Sequence, residues 1–402
     1  MKILVLNSGS SSQKTALYEI QDRLPADPAA PLWQGKIEWD GAAEVQAKNV
    51  RGVARREELK VSRGEAVRLL LSWLWDGDAR AIAAAREIDV VGHRVVLGGP
   101  KYKEPVFVDE DVKSAIANVS AFAPLHNDAE IEGIDIVADL MGTVPQVAVF
   151  DTGFHRNMPQ AAAVYPGPYR WFESGIHRYG FHGINHQYCA ERAARLMGRE
   201  LAELRIVTCH LGNGCSLAAI HGGRSVDTTM GFTPLEGLMM GTRSGSVDPG
   251  ILTYLMRRDR LEARRIDDML NKESGLLGIS GISADMREIL SALKNGNARA
   301  NLAFDIYVHR LRSGIGAMIA AIGGIDALVF TAGVGENSAD VRERACANLG
   351  FAGVKLDAGA NSQCKPDADI AASGSAVRVW VIRAQEDWQI AKECWKLRRG
   401  GD

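Results

Sequence analysis

Short apolar runs punctuate the chain and are separated by longer stretches with a helical apolar period. "ILVL" (3–6) is followed by "NSGSSSQK" and then "TALYEI", where Ala16, Tyr18 and Ile20 alternate with smaller or polar residues. That two-residue period predicts a strand, so the first twenty residues read as strand, Gly/Ser turn, strand. The polar stretch up to about residue 62 receives no element. Apolar spacing then predicts helices near 65–76 and 79–87, a strand at "DVVGHRVV" (89–96), and a helix at 109–123 with acids in its first turn. A helix at 126–141 and a strand at "QVAVFD" (146–151) follow.

The second half repeats the theme. Strands are predicted at 205–209 and 216–221, helices through 250–295, and a long helix near 297–322. A strand at 326–331, a helix at 337–348, a strand at 376–382 and a last helix at 385–398 complete the chain, with 357–375 as a loop. Strands alternating with helices predict an α/β fold. One internal echo sharpens this. "ILVLNSGSSSQKTAL" (3–17) and "IVTCHLGNGCSLAAI" (206–220) both run apolar strand, small-residue turn, apolar strand, with a constant separation of 203 residues from Gly9 to Gly212. A repeat at half the chain length predicts two related domains, each contributing one such turn to a nucleotide.

Composition narrows the classes. The 402 residues allow two or three domains, and 46% hydrophobic with 24% charged residues is ordinary for a globular protein. A net charge of −2 provides no basic field for nucleic acid or for an anionic membrane. "ILVL" is too short for a signal peptide, and the apolar run 315–330 is broken by Asp326 and glycines, so no membrane span is expected. Six scattered cysteines without a C-x-x-C pair suit free thiols in a reducing cytoplasm.

The first turn invites comparison with a P-loop. That pattern needs a glycine five residues after Gly9, where Lys14 stands, and a helix afterwards, where a strand is predicted. Backbone N–H groups and the hydroxyls of Ser10, Ser11 and Ser12 can still surround an anion at a hairpin tip. "HGINH" (182–186) has H-x-x-x-H spacing, but Gly183 occupies the place of the zincin glutamate, so zinc is set aside.

Further motifs carry a resemblance over essentially the whole chain. "GHRVV" (92–96), "APLHN" (123–127), "VFDTGFH" (149–155), "RYGFHG" (178–183), "TCHLGNG" (208–214), "DTTMGFTPLEGLMMGTRSG" (227–245), "SGLLGISGISADMRE" (274–288) and "FTAGVGENS" (330–338) together resemble the acetate kinase family. The resemblance implies two duplicated actin-like ATPase (ribonuclease H-like) domains, each with a mixed five-stranded sheet flanked by helices, and ATP in the interdomain cleft. It places 1–151 with 385–402 in the first domain and 152–384 in the second. The implied activity is reversible, direct in-line transfer of the ATP γ-phosphoryl to acetate, giving acetyl phosphate and ADP. A cytoplasmic homodimer using Mg²⁺, with Mn²⁺ as a substitute, is implied as well.

Residue by residue, the resemblance implies Arg94 on the substrate carboxylate, Arg243 and His182 on the transferring phosphoryl, and Asp151 as the catalytic aspartate. Acetate is already ionised at neutral pH, so Asp151 is expected to orient Arg94 or hold the metal through water rather than act as a base. Asn7 and Glu386 are the implied metal residues. ATP would meet Ser10, Ser12, Lys14, His210, Leu211, Gly212, Asn213 and Gly214. On the nucleotide side it would meet Asp285, Met286, Arg287, Gly333, Val334, Gly335, Glu336 and Asn337. Val96, Leu125, His126, Phe181 and Pro234 would form a small acyl pocket favouring acetate. Leu97, Asp128, Ser246 and the "IN" of "HGINH" depart from the family pattern and bear on substrate choice. Two alternatives stay open: a kinase for propionate or butyrate, and an ATP-binding module that closes on nucleotide without phosphoryl transfer.

Overall fold

The computed structural model describes residues 1–9, 12–99, 101–119 and 124–400; the side chains of Asp40 and of residues 124–128 fall outside that description. Ser10 therefore lies outside the described residues, as do the side chains of Leu125, His126 and Asp128. The chain divides into two compact units, Met1–Gly153 with Gln385–Asp402, and Phe154–Ala384.

The first unit is built on an eight-stranded sheet. Its strands are β1 (Lys2–Ser8), β2 (Ser12–Glu19), β3 (Trp33–Asp40), β4 (Ala42–Asn49), β5 (Ala54–Leu59), β6 (Val90–Val95), β7 (Val106–Phe107) and β8 (Gln146–Phe150), in the order β5-β4-β3-β2-β1-β6-β8-β7. The second unit has six strands: β9 (Arg205–Leu211), β10 (Cys215–His221), β11 (Arg224–Thr228), β12 (Ala327–Thr331), β13 (Ala368–Asp369) and β14 (Arg378–Val381), in the order β11-β10-β9-β12-β14-β13.

Both sheets are wider than five strands, and the reason is visible at their edges. Each contains the same five-strand core, β3-β2-β1-β6-β8 and β11-β10-β9-β12-β14. In each core the first three strands are antiparallel and the last three parallel. β4 and β5 extend the first core as a meander on the β3 edge, while β7 and β13 add one short antiparallel strand to the opposite edges. The two cores confirm the echo in the sequence, with one adjustment. Ser8 pairs with Gln13 across the first turn, whereas Leu211 pairs with Cys215 across the second, so the second turn is one residue shorter.

The polar stretch before residue 62 is β3, β4 and β5. Strand β4 alternates buried and partly exposed positions, but only small or single apolar residues (Ala43, Val45, Ala47) mark the inner face. Charged residues on the outer face hid the period. The expected helix at 79–87 is instead a turn ending in one helical turn at Ala85–Glu87. There Glu87 accepts the Ala83 and Ala84 N–H groups and pairs with Lys2, and this tertiary anchoring overrides the helix propensity of the alanines. The expected helix at 337–348 is found as Ala339–Cys346, started by the Ser338 hydroxyl, which accepts from Val341 N–H, and a separate short helix, Ala332–Asn337, precedes it. The 357–375 loop contains the helix Ala358–Ser362 and β13.

Helix Arg63–Ser72, started by a Ser62/Glu65 capping box, and helix Pro124–Met141 cover one face of the first sheet. Between them and the strands lie Leu4, Leu6, Leu17, Trp33, Ile37, Val45, Leu70 and Leu71, all essentially inaccessible, each aliphatic side chain contributing about 2 kcal/mol by burial. The last helix, Glu386–Arg398, packs on β1 and β6. Its fit is close: a Cβ on Gly92 would come within 2.5 Å of Cys394 Sγ and 2.8 Å of Ile390. Trp388 meets Tyr18 edge-on, ring centroids 5.5 Å apart. No helix among the described residues is long and apolar enough to cross a membrane.

Candidate active site

In the first unit, polar residues gather where β1, β6 and β8 end and the last helix begins. Arg94, on β6, donates through Nη1 to the Ser8 carbonyl at 3.0 Å and through Nη2 to Asp151 Oδ2 at 2.8 Å. Asp151 immediately follows β8 and is 1% exposed. Burial works against the Arg94 charge, but the Asp151 and Glu386 carboxylates outweigh it and hold the guanidinium above its ordinary pKa. The Arg94 Nε is buried and meets no acceptor among the described residues. Two of the fork's nitrogens are thus fixed by the protein, a preorganised arrangement for a planar anion.

Asn7, the penultimate residue of β1, donates its amide to Glu386 Oε2 at 3.0 Å and to Asp387 Oδ1 at 2.8 Å. These carboxylates stand in the first turn of the last helix, where the helix dipole favours negative charge. Burial raises the Asp387 carboxyl above its ordinary range, against the Asn7 hydrogen bond and the Lys14 charge. An amide and two carboxylates offer hard oxygen donors. Among the described residues no three His, Cys, Asp or Glu side chains gather as a metal site. This donor set fits a cation such as Mg²⁺, which keeps most of its waters and takes few protein ligands.

The first turn is braced from outside. The Gly9 N–H donates to the Ser12 carbonyl at 2.7 Å, and Arg63 Nη2 donates to the Gly9 carbonyl at 3.1 Å. Lys14 is exposed on β2, in register with Asn7. Val96 is buried just beyond β6, and its N–H donates to both oxygens of Glu130.

In the second unit, the turn Gly212–Gly214 is the focus. His182 caps helix Gly183–Met197 in a left-handed conformation, φ 58°. A Cβ on Gly214 would lie 3.2 Å from Arg243 Nη2 and 3.4 Å from His182 Nε2, so both side chains close over a glycine that leaves room for a ligand. Arg243 donates to the Pro234 carbonyl at 2.6 Å, and no carboxylate pairs with it among the described residues. Burial lowers its pKa from the ordinary value. A partly buried cation without a carboxylate partner among the described residues is primed for an anionic ligand.

The histidines here form a network. His182 Nδ1 and His186 Nε2 both meet the Ser216 hydroxyl, at 2.9 and 2.8 Å. His186 Nδ1 meets Thr208 Oγ1 at 2.7 Å. Burial drives the His186 pKa well below 6.5, so this ring is neutral. His210, the β9 position that matches Asn7 in the repeat, accepts from Asn185 and points Nε2 toward Gly212.

The segments expected on the nucleotide side adjoin this turn. Gly335 sits against the Cys209 carbonyl and Leu211, and a Cβ on Gly212 would lie 3.9 Å from that of Ala332. Val334 lies inside the short helix Ala332–Asn337, and the Asn337 amide donates back to the Gly333 carbonyl at 2.8 Å. Glu336 accepts the Ala384 N–H at 2.8 Å, and burial raises its carboxyl. A Cβ on Gly241 would touch both Asn213 Oδ1 and the Ala284 carbonyl, which brings Asp285–Arg287 close to the turn. Asp285 caps its helix and pairs with Arg287, while Met286 is buried. Phe181 is buried and Pro234 partly so.

Sequence reasoning missed the residues that support these groups. Asp387 sits beside Glu386, and only the folded hairpin shows that both carboxylates meet Asn7. Arg63 braces the first turn. Buried Arg342 donates to the Gly335 and Glu336 carbonyls at 2.9 and 3.0 Å and holds the end of helix Ala332–Asn337. Glu130, 2% exposed, lies behind Val96. A charged residue inside an otherwise apolar helical face was the one available signal.

Comparisons with known proteins agree over the whole length. A family model described as the acetokinase family matches residues 2–392. The chain is 58% identical over 402 residues to an acetate kinase of Nostoc punctiforme, covering 99% of each. Among solved structures it is similar to Porphyromonas gingivalis acetate kinase, with 40% identity, 99% of each chain covered and a TM-score of 0.90. It is also similar to a propionate kinase from Francisella tularensis, with 37% identity, 98% of each chain covered and a TM-score of 0.87.

Proposed function

This chain belongs to the acetokinase family, and we infer that it transfers the γ-phosphoryl group of ATP to acetate, reversibly, forming acetyl phosphate and ADP. The observation that carries this reading is the convergence of Arg243 and His182 on the Gly214 turn, where one partly buried guanidinium has no carboxylate partner among the described residues.

The physical problem is charge. A carboxylate must approach a phosphate, and negative charge spreads over the transferring group's equatorial oxygens. Arg94, held by Ser8 and Asp151, supplies the fork for the acyl carboxylate. Arg243 and His182 donate to the phosphoryl oxygens as charge develops, without reorganising. Asp151 removes no proton, because the acid is already ionised; its hydrogen bond to Arg94 supports an orienting role. Ser12, Lys14 and the Gly212–Gly214 turn hold the phosphates, with Asp285–Arg287 and Gly333–Asn337 on the nucleoside side. Asn7 and Glu386, with Asp387 beside them, would hold Mg²⁺, or Mn²⁺ in its place. The bound ion would neutralise charge on the ATP phosphates. Homodimer assembly and a cytoplasmic location belong to the same reading.

A second reading, a longer-chain acid as the preferred acceptor, is favoured by the similarity to a propionate kinase. Formation of acyl phosphate, trapped as the hydroxamate with formate, acetate, propionate and butyrate, decides between them. With buried Val96 at the acyl end, acetate is expected to lead, with propionate reacting more poorly by about 1–3 kcal/mol of specificity. A maximum at propionate would transfer the assignment to the second reading. No product with any acid, from protein that still binds ATP, would overturn both.

A further inference from the structure

Glu130 is a buried acid that the reaction above does not use. It projects from helix Pro124–Met141 and is 2% exposed. Both of its carboxyl oxygens take the Val96 N–H, at 3.1 and 3.2 Å. Val96 stands two residues beyond Arg94, one residue past the end of the strand that presents the clamp. The charged groups facing Glu130 are Arg94 on β6, Asp151 after β8, and Arg63 on helix Arg63–Ser72. Arg63 also feels Glu132, and Arg94 also feels Glu386.

We propose that Glu130 is a positioning residue of the carboxylate clamp, and that acetate binds the form of the enzyme in which Glu130 carries its proton. This rests on the assignment of Arg94 to the substrate carboxylate. The argument is electrostatic. Arg94 already has one buried counter-charge, Asp151, at 2.8 Å. A second ionised carboxyl in the same apolar surroundings cancels the attraction that the guanidinium would offer to an incoming carboxylate. A protonated Glu130 leaves that attraction in place, and its carbonyl oxygen still accepts the Val96 N–H. Burial supports the assignment: it raises the Glu130 carboxyl to about 8, opposed by Arg94 and the Val96 amide and reinforced by Asp151. The acid is therefore mostly neutral near pH 7.

The test is the KM for acetate between pH 6 and 9.5 at saturating Mg·ATP, in wild type and in Glu130→Gln. The glutamine keeps an acceptor for Val96 and cannot ionise. We expect the wild-type KM for acetate to be flat at low pH and to rise about tenfold per pH unit above about pH 8. We expect Glu130→Gln to stay flat, with the KM for ATP following one curve in both proteins. The same alkaline rise in the variant would overturn the proposal. A second measurement needs only the wild type. Calorimetric titration of acetate into enzyme holding ADP, in two buffers of different ionisation enthalpy, should show proton uptake at pH 9 and none at pH 6.5; no uptake at pH 9 would overturn it. A wild type that makes no acyl phosphate would instead sink the phosphotransfer reading, and the two failures are separable.

Discussion

The side-chain amide of Asn185 donates to Nδ1 of His210 across 2.8 Å, and the His210 ring lies flat on His182 with centroids 3.9 Å apart. An amide nitrogen only donates, so the neutral His210 ring carries its proton on Nε2, the atom nearest Gly212. Asn185→Asp offers acceptors alone. It would draw the proton to Nδ1 and turn a lone pair toward the Gly212 turn. Turnover should fall about 100-fold, as when one transition-state donor is lost, with little change in the KM for acetate. Steady-state kinetics on folded variant read this directly. Wild-type turnover would show that the His210 tautomer has no bearing on the reaction.

Arg94 divides its fork between Ser8 and Asp151. A lysine there is a single point charge and cannot serve both partners and a substrate. Arg94→Lys should raise the KM for acetate about tenfold or more and leave the KM for ATP near wild type. Asp151→Asn should lower kcat roughly 100-fold through loss of Arg94 alignment, and raising the pH should not restore it. Recovery at high pH would mean that Asp151 handles a proton after all.

Asn7 ties Glu386 and Asp387 together through one amide. Removing either carboxylate charge should raise the Mg²⁺ concentration needed for half-maximal rate by about 10–100-fold, with less effect at saturating metal. Glu386→Gln and Asp387→Asn, titrated with Mg²⁺ and with Mn²⁺, check this. An unchanged metal requirement in both would remove this end of the hairpin from the metal site.

His93, buried on β6 and bonded to Gln146 at 2.7 Å, is driven down to about 4 by burial. Between pH 6.5 and 4 the unfolded chain binds a proton at this position and the folded chain does not. Acid therefore pulls toward the unfolded state, and the folded protein should lose about 3 kcal/mol over that window. His186, lowered in the same direction, adds to the loss. Thermal midpoints measured from pH 7.5 to 4 should fall less steeply for His93→Asn than for wild type, and parallel curves would refute the assignment.

What the sequence disclosed follows from distance along the chain. The turns at Gly9 and Gly212 are local, so their strand–turn–strand pattern and spacing were legible, as was the motif resemblance that the family match bears out. Strands β3 to β5 were not, because their inner faces rely on scattered residues such as Ile37 and Val45 whose partners lie on neighbouring strands. The supporting residues were hidden for the same reason. Arg63 reaches Gly9 across 54 positions, and Asn7 meets Asp387 across 380. No periodicity records a contact of that range. The one-residue shortening of the second turn was equally invisible, since at an offset of 203 both hairpins read apolar strand, small-residue turn, apolar strand without a gap.

The last helix gives the protein an unusual order of assembly. Glu386–Arg398 closes the face of β1 and β6, so the first unit is finished by residues made after the whole of the second. All of Phe154–Ala384 leaves the ribosome in between. At ordinary translation speeds that is a wait on the order of tens of seconds. Throughout it, the groove that Ile390 and Cys394 will fill over Gly92 stays bare. The second unit, though later in the chain, has all its residues first. The nascent protein thus emerges with its opening half incomplete, and Glu386 arrives only with the segment that seals it.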